Sequence, residues 1–255
     1  MSIKAFLTTA AVALLALPAT ATVIFRNTGT LSGWDKTLKE HSGTVEQVSN
    51  VVYAGSTAIK VTQTYDPGYT GRYHSEVHRR SGYKRGDTGF YGFAFRLSES
   101  WEFSPAQSYN IGQFIADFTD TGCDDWMPSS MVWLVGNQLY SRVKYGSICD
   151  QHITTYPNLA TVSPGEWHRV EIQANWQSDS TGYYKIWFDG VKVLEKLNLK
   201  TTIDDSRQFE WHVGLYANGW HDDGGMKGSQ PFRQIWYDNL AIGTTFADAD
   251  PAQFS

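Results

Sequence analysis

The stretch Arg72-Tyr73-His74-Ser75-Glu76-Val77-His78-Arg79-Arg80 reads as a strand. Side chains of a strand alternate between its faces. Arg72, His74, Glu76, His78 and Arg80 therefore share one face, and Tyr73, Ser75, Val77 and Arg79 share the other. One face carries two guanidiniums, two imidazoles and a carboxylate. A solvated outer strand is the plain alternative, but such strands are usually rich in Thr, Ser and Lys. A dense row of mixed sign suits a polar cleft better. Arg presents a planar fork that matches a carboxylate or sulfate, so a cleft of this kind is suited to an anion.

Segments of period two surround this stretch. Ala58 to Thr64, Phe90 to Leu97, Ser108 to Phe118 and Trp167 to Trp176 all alternate or carry aromatic strand residues. In the third, Gln113 is expected on one face with Ile111, Ile115 and Asp117. Ser130 to Val135 and Gln138 to Tyr145 flank Gly136-Asn137, and Gly182 to Phe188 and Val191 to Glu195 flank Asp189-Gly190. Both read as tight hairpins, the second with a type I′ turn. Phe209 to Asn218 and Gln234 to Ile242 complete the set. Only 99–107 and 201–207 hint at helical turns. Many strands in one chain without a blade-length repeat predict an all-β jelly roll, two antiparallel sheets with one concave polar binding face.

Composition narrows the class. Aromatics make up 15% of the 255 residues and Trp alone counts 10, which suits a β protein that stacks sugar rings; most of these rings are also expected to fill the core. Lys4, the apolar run Ala5 to Leu17 and Ala19-Thr20-Ala21 have the form of a secretory signal peptide over residues 1–21. One domain is expected over 22–255, exported and without a membrane span. Cys123 and Cys149 are then expected to form one disulfide, two free buried thiols being the alternative. A net charge of −5 argues against a nucleic-acid partner, so anion recognition must be local.

His212-Val213-Gly214-Leu215-Tyr216-Ala217-Asn218 supplies a second strand of the cleft. Val213, Leu215 and Ala217 point one way; His212, Gly214, Tyr216 and Asn218 point the other. Gly214 leaves space in which a ligand could approach. His74 and His78, Gln113, and Tyr216 thus lie on the polar sides of three strands.

These blocks, with Ile111-Gly112-Gln113-Phe114 and Trp236-Tyr237-Asp238-Asn239-Leu240, resemble the jelly-roll polysaccharide lyases and, among them, the glucuronan lyase family. Alginate lyases of similar fold carry Arg-x-Glu-Leu-Arg and Gln-Ile/Val-His strands. Here His74 and His78 replace the arginines, and Ile115 replaces the His that is the proposed base of those enzymes.

The resemblance implies β-elimination on a polymer of β-1,4-linked glucuronate. Gln113 and His74 would neutralise the carboxylate, helped by Arg72 or Arg80. The C5 proton and C4 oxygen leave from the same side, so Tyr216 could act as base and then acid, with nearby cations lowering its pKa. His78 is a further candidate base, and Glu76 would orient a His or Arg. Arg142, Lys144, His212 and Asn218 would bind neighbouring uronates. No metal is required for this chemistry; a structural calcium at Asp238 is a candidate by analogy with sandwich carbohydrases. A monomer acting on an acidic polysaccharide is expected. Alginate or heparin specificity, a glycoside hydrolase and a non-catalytic binding protein are the alternatives. A hydrolase needs two carboxylates about 5–9 Å apart, and Glu76 has no acidic neighbour on its strand.

Overall fold

Alternation around Glu76 becomes tertiary structure directly: Tyr73 and Val77 enter the core, while His74, Glu76 and His78 line a groove. A computed structural model describes residues 21–123 and 125–254. The expected signal peptide lies outside the described residues apart from Ala21.

Fifteen strands form among the described residues. In chain order they are β1 (Val23–Asn27), β2 (Lys36–Lys39), β3 (Thr44–Val48), β4 (Ala58–Thr64) and β5 (His74–Tyr83). Next come β6 (Thr88–Leu97), β7 (Ser108–Asp117), β8 (Trp126–Val135), β9 (Gln138–Ser147) and β10 (Asp150–Thr161). The last are β11 (Trp167–Asn175), β12 (Gly182–Phe188), β13 (Val191–Leu199), β14 (Phe209–Tyr216) and β15 (Phe232–Gly243). One sheet runs β13-β12-β11-β6-β15-β4-β3 with β1 also on β15; the other runs β10-β9-β8-β7-β14-β5-β2. The neighbouring strands pair antiparallel, and the two sheets enclose one core in a jelly roll.

Rings dominate that core. Trp176, Trp211, Tyr83 and Phe114 are almost fully buried, and Tyr83 stacks on Trp176 at 3.9 Å. Burying one large ring removes roughly 150–250 Å² from water. At about 25 cal/mol per Å² that is about 4–6 kcal/mol each, an upper estimate. Most of the aromatic richness is therefore spent on packing.

The Asp189-Gly190 turn has φ of 51° and 80°, the two positive values a type I′ hairpin demands. The helical turns expected at 99–107 and 201–207 do not form. Trp101 is drawn into the core, and Thr201, Thr202 and Ile203 are completely buried. Thr201 and Thr202 spend their hydroxyls on Asn175 O and Tyr83 Oη rather than on a helix. Among the described residues the α-helices are α1 (Asn218–Asp222) and α2 (Phe246–Ala249), with short 3-10 turns at Thr119–Thr121 and Pro251–Gln253. Cys123 and Cys149 are joined in a disulfide at the end of the sheet where β8 and β10 begin.

Candidate active site

β5, β14 and β7 lie side by side, and their register arranges the groove floor in rows. His212 pairs with His78 on one side and Gln113 on the other. Gly214 faces Glu76, and Tyr216 lies between His74 and Asn110. Directly opposed residues touch. The His74 and Tyr216 rings stack 3.8 Å apart at 20°, and those of His78 and His212 3.4 Å apart at 4°. Gly214 opens no space for a ligand: a Cβ there would lie 2.3 Å from Ser75 O and 2.6 Å from Glu76 Cα. Close approach of β5, not of substrate, requires this glycine.

A bulge in β7 corrects the expected partners of Gln113. Asn110 pairs with Trp133 and Gly112 with Val132, leaving Ile111 unmatched. Ile111 is fully buried in the core instead of standing beside Gln113. Asn110 comes to the groove side in its place. Asn110 Nδ2 donates to Gln113 Oε1 at 2.9 Å, and Gln113 Nε2 donates to Glu76 Oε1 at 3.1 Å. An ionised carboxylate can only accept, so the Gln113 amide has one orientation, with its second N–H left for a ligand.

Glu76 anchors a second group. Its Oε2 is 3.3 Å from His78 Nε2 and 3.4 Å from His212 Nδ1, while Glu210 Oε2 is 2.9 Å from His212 Nε2. Burial opposes the Glu76 charge, but the neighbouring imidazoles of His74, His212 and His78 outweigh it and hold its pKa well below the ordinary value. Burial also opposes charge on His212, but bonds to Glu210 and Glu76 raise its pKa. Burial lowers that of His78 despite Glu76. Both nitrogens of His212 face carboxylate oxygens, which only accept, so His212 is the ring of the pair suited to carry the charge. Glu76, His78 and His212 are close enough to suggest a metal cluster. Parallel rings 3.4 Å apart, however, do not aim their in-plane lone pairs at a common point.

Two adjoining hollows of about 320 and 330 Å³ make up the groove and share Arg72, His74, Gln113 and Ile115. Tyr216, Arg142 and Asn218 line the first, with Trp133 and Asp222. Glu76, His78 and His212 line the second, with Lys36, Glu40 and Trp126. Arg80 is not brought in: it falls where β5 has more residues than β14 between the pairs Arg79–Trp211 and Tyr83–Phe209, and it is exposed. Lys144, half-buried further along β9, lines neither hollow. Asn218 is engaged in the rim, accepting from Asn110 N at 3.1 Å and donating to Asp222 at 3.2 Å.

The groove's elements are those of a known family. The family model for polysaccharide lyase matches residues 26–241. An endo-β-1,4-glucuronan lyase from the fungus Trichoderma reesei is 61% identical over 91% of this chain and all of its own, with a TM-score of 0.90. The chain belongs to the polysaccharide lyase family. An alginate lyase of family PL-14 from Aplysia kurodai has a TM-score of 0.55 at 10% identity, covering 88% of this chain and 100% of its own. Alginate lyase A1-II′ has a TM-score of 0.50 at 11% identity, covering 74% and 81%. These two show likeness of fold alone. No curated protein matches.

One expectation about this lyase needs correction. Cations do not lower the pKa of Tyr216: burial and then the Asp222 charge raise it, against the opposing effect of Arg72. Its phenol stays protonated. Asp238, the calcium candidate, accepts three backbone N–H groups. It is fully buried, Oδ2 accepts the backbone N–H of Tyr53 and Ala54 at 2.9 and 3.1 Å, and Oδ1 that of Asn239 at 2.8 Å. Asp238 ties the loop before β4 to β15.

Sequence reasoning missed Glu40, Asn110, Lys36, Trp126, Trp133 and Asp222. β2, with four residues and little alternation, gave no signal for Lys36 or Glu40. Trp126 and Trp133 could have been found as aromatic residues on a strand beside the groove.

Proposed function

We propose that this lyase cleaves β-1,4-linked glucuronate polymers by syn β-elimination. The observation that carries the reading is the row His74–Tyr216–Asn110, set beside Gln113, which lines both hollows of the groove. Its likeness to the Trichoderma reesei glucuronan lyase supports the choice of polymer.

The uronate carboxylate would take the free N–H of Gln113 and the charge of Arg72. Donors aimed at it stabilise the enolate-like charge that forms as the C5 proton leaves. Tyr216, neutral in the free enzyme, is suited to protonate the C4 oxygen. Its earlier use as base requires loss of its own proton, which burial and Asp222 oppose. His74, flat against it, is the neighbour able to share the work. Trp133 and Arg142 in one hollow and Trp126 and Lys36 in the other supply a ring and a cation on each side. That favours cleavage within a chain. No step runs through a metal ion.

The reading includes an exported monomer, in keeping with the disulfide. Among the described residues, no helix is long and apolar enough to cross a membrane.

The test is ultraviolet absorbance over time with β-1,4-glucuronan, alginate and heparin, because elimination leaves an unsaturated end that absorbs. A rise with glucuronan alone is expected. A rise only with alginate or heparin would overturn the specificity. Binding without any rise would overturn catalysis.

A further inference from the structure

The elimination proposed above needs a proton acceptor on the same side of the sugar as Tyr216, and the following inference rests on that reading. Glu40, just after β2, makes three contacts with one residue. Its Oε2 accepts the backbone N–H of His74 at 3.1 Å and lies 2.7 Å from His74 Nδ1. Its own N–H donates to His74 O at 2.9 Å. Burial opposes charge on Glu40, but its bond to His74 prevails and lowers its pKa, so it is a carboxylate. A carboxylate only accepts, so Nδ1 carries the hydrogen, and whenever the ring holds one proton its lone pair is on Nε2. That ring borders both hollows and lies flat on Tyr216.

We propose that Glu40 is a positioning residue that holds His74 in its Nδ1–H form, so that Nε2 takes the C5 proton while Tyr216 gives its proton to the C4 oxygen. The C5–H bond breaks toward Nε2, and its electron pair becomes the C4–C5 double bond. The C4–O bond breaks, and the departing oxygen takes the phenolic hydrogen. His74 is left with one proton too many and Tyr216 with one too few; transfer between the adjacent rings restores both. No other reactant is consumed. The neutral and charged groups around His74 are Glu40 after β2, Arg72 before β5, Glu76 on β5, Tyr216 on β14, Asp222 on α1 and Arg142 on β9.

The experiment compares kcat and KM across pH for the wild-type protein, Glu40→Gln and Glu40→Ala on β-1,4-glucuronan. Gln retains an acceptor for Nδ1–H but no charge. Glu40→Ala should lose about 10²-fold in kcat with KM little changed, and Glu40→Gln should recover part of it. The acidic limb of kcat/KM should move to lower pH in Glu40→Gln, because the imidazolium loses its counter-charge. Should Glu40→Ala fail to fold by circular dichroism, the limb in Glu40→Gln decides alone. An unmoved limb, or kcat within about twofold of wild type in the folded variants, overturns the role of Glu40 and leaves the substrate reading standing. A wild-type protein silent on glucuronan overturns that reading and this proposal with it.

Discussion

His78 and His212 lie face to face, 3.4 Å apart and 4° from parallel, between the carboxylates of Glu76 and Glu210. Two imidazolium ions would repel strongly at this distance. The opposite shifts of the two rings resolve the conflict by favouring charge on His212 over His78. Glu76 is common to this pair and to Gln113, so one carboxylate holds the floor of the second hollow and the donor at the centre of the groove.

Replacing Glu76 with Gln should destabilise the protein by about 3 kcal/mol at neutral pH, because a buried charge loses its partner. The pKa of Glu76 is depressed by folding, so its stabilising effect is full above the ordinary value of 4.5 and is lost as pH falls through the lower folded value. Urea unfolding should show the gap between wild type and Glu76→Gln narrowing in acid. A gap that is absent at neutral pH, or that widens in acid, would contradict this account.

Tyr216→Phe removes one oxygen and keeps the ring on His74. Turnover should fall by about 10³-fold or more, while oligosaccharide binding and the melting temperature change little. Absorbance kinetics and calorimetric titration separate the two effects. Substantial residual turnover would falsify the role of Tyr216 as the acid.

Asn110→Ala should lower kcat by about 10- to 100-fold, because the Gln113 amide would lose the bond at Oε1 that orients it. The loss should exceed any change in KM, since the donor matters most as charge develops. Steady-state kinetics on a variant with a wild-type circular dichroism spectrum test this. Wild-type kcat would mean that Glu76 alone suffices to orient Gln113.

Glu171 is completely buried on β11, beside the Asp250 carboxyl. Burial and then the Asp250 carboxyl push its pKa up to about 8. For a carboxyl raised on folding, the folded state holds the proton more tightly. Stability is therefore highest below the ordinary value of 4.5 and declines as pH rises to about 8. Glu171→Gln should flatten the fall of melting temperature over that range. A variant whose melting temperature falls as steeply as that of wild type would show that Glu171 is not the group responsible.

Period-two patterning made the faces of β5 and β14 legible, because a strand with one buried face must alternate. Asn110 escaped the same reasoning. It stands three residues from Gln113, an odd offset that places the two on opposite faces of a regular strand, and only the bulge at Ile111 brings them together. Glu40 escaped for another reason. Its partner His74 is 34 residues away, across the pairing of β2 with β5, and nothing in a four-residue strand announces that pairing. The pKa of Tyr216 was misjudged because the cations were visible in the sequence, whereas the burial and the nearby Asp222 were not.

Sequence by itself determined the strand faces, the Asp189-Gly190 hairpin, the disulfide pair and the set His74, Gln113 and Tyr216, since each depends on local chemistry or on period two. Tertiary structure alone decided which of those groups carry charge and which way they point. Those properties come from burial and from cross-strand neighbours a few ångströms away, and such neighbours are set by register and bulges, not by distance along the chain.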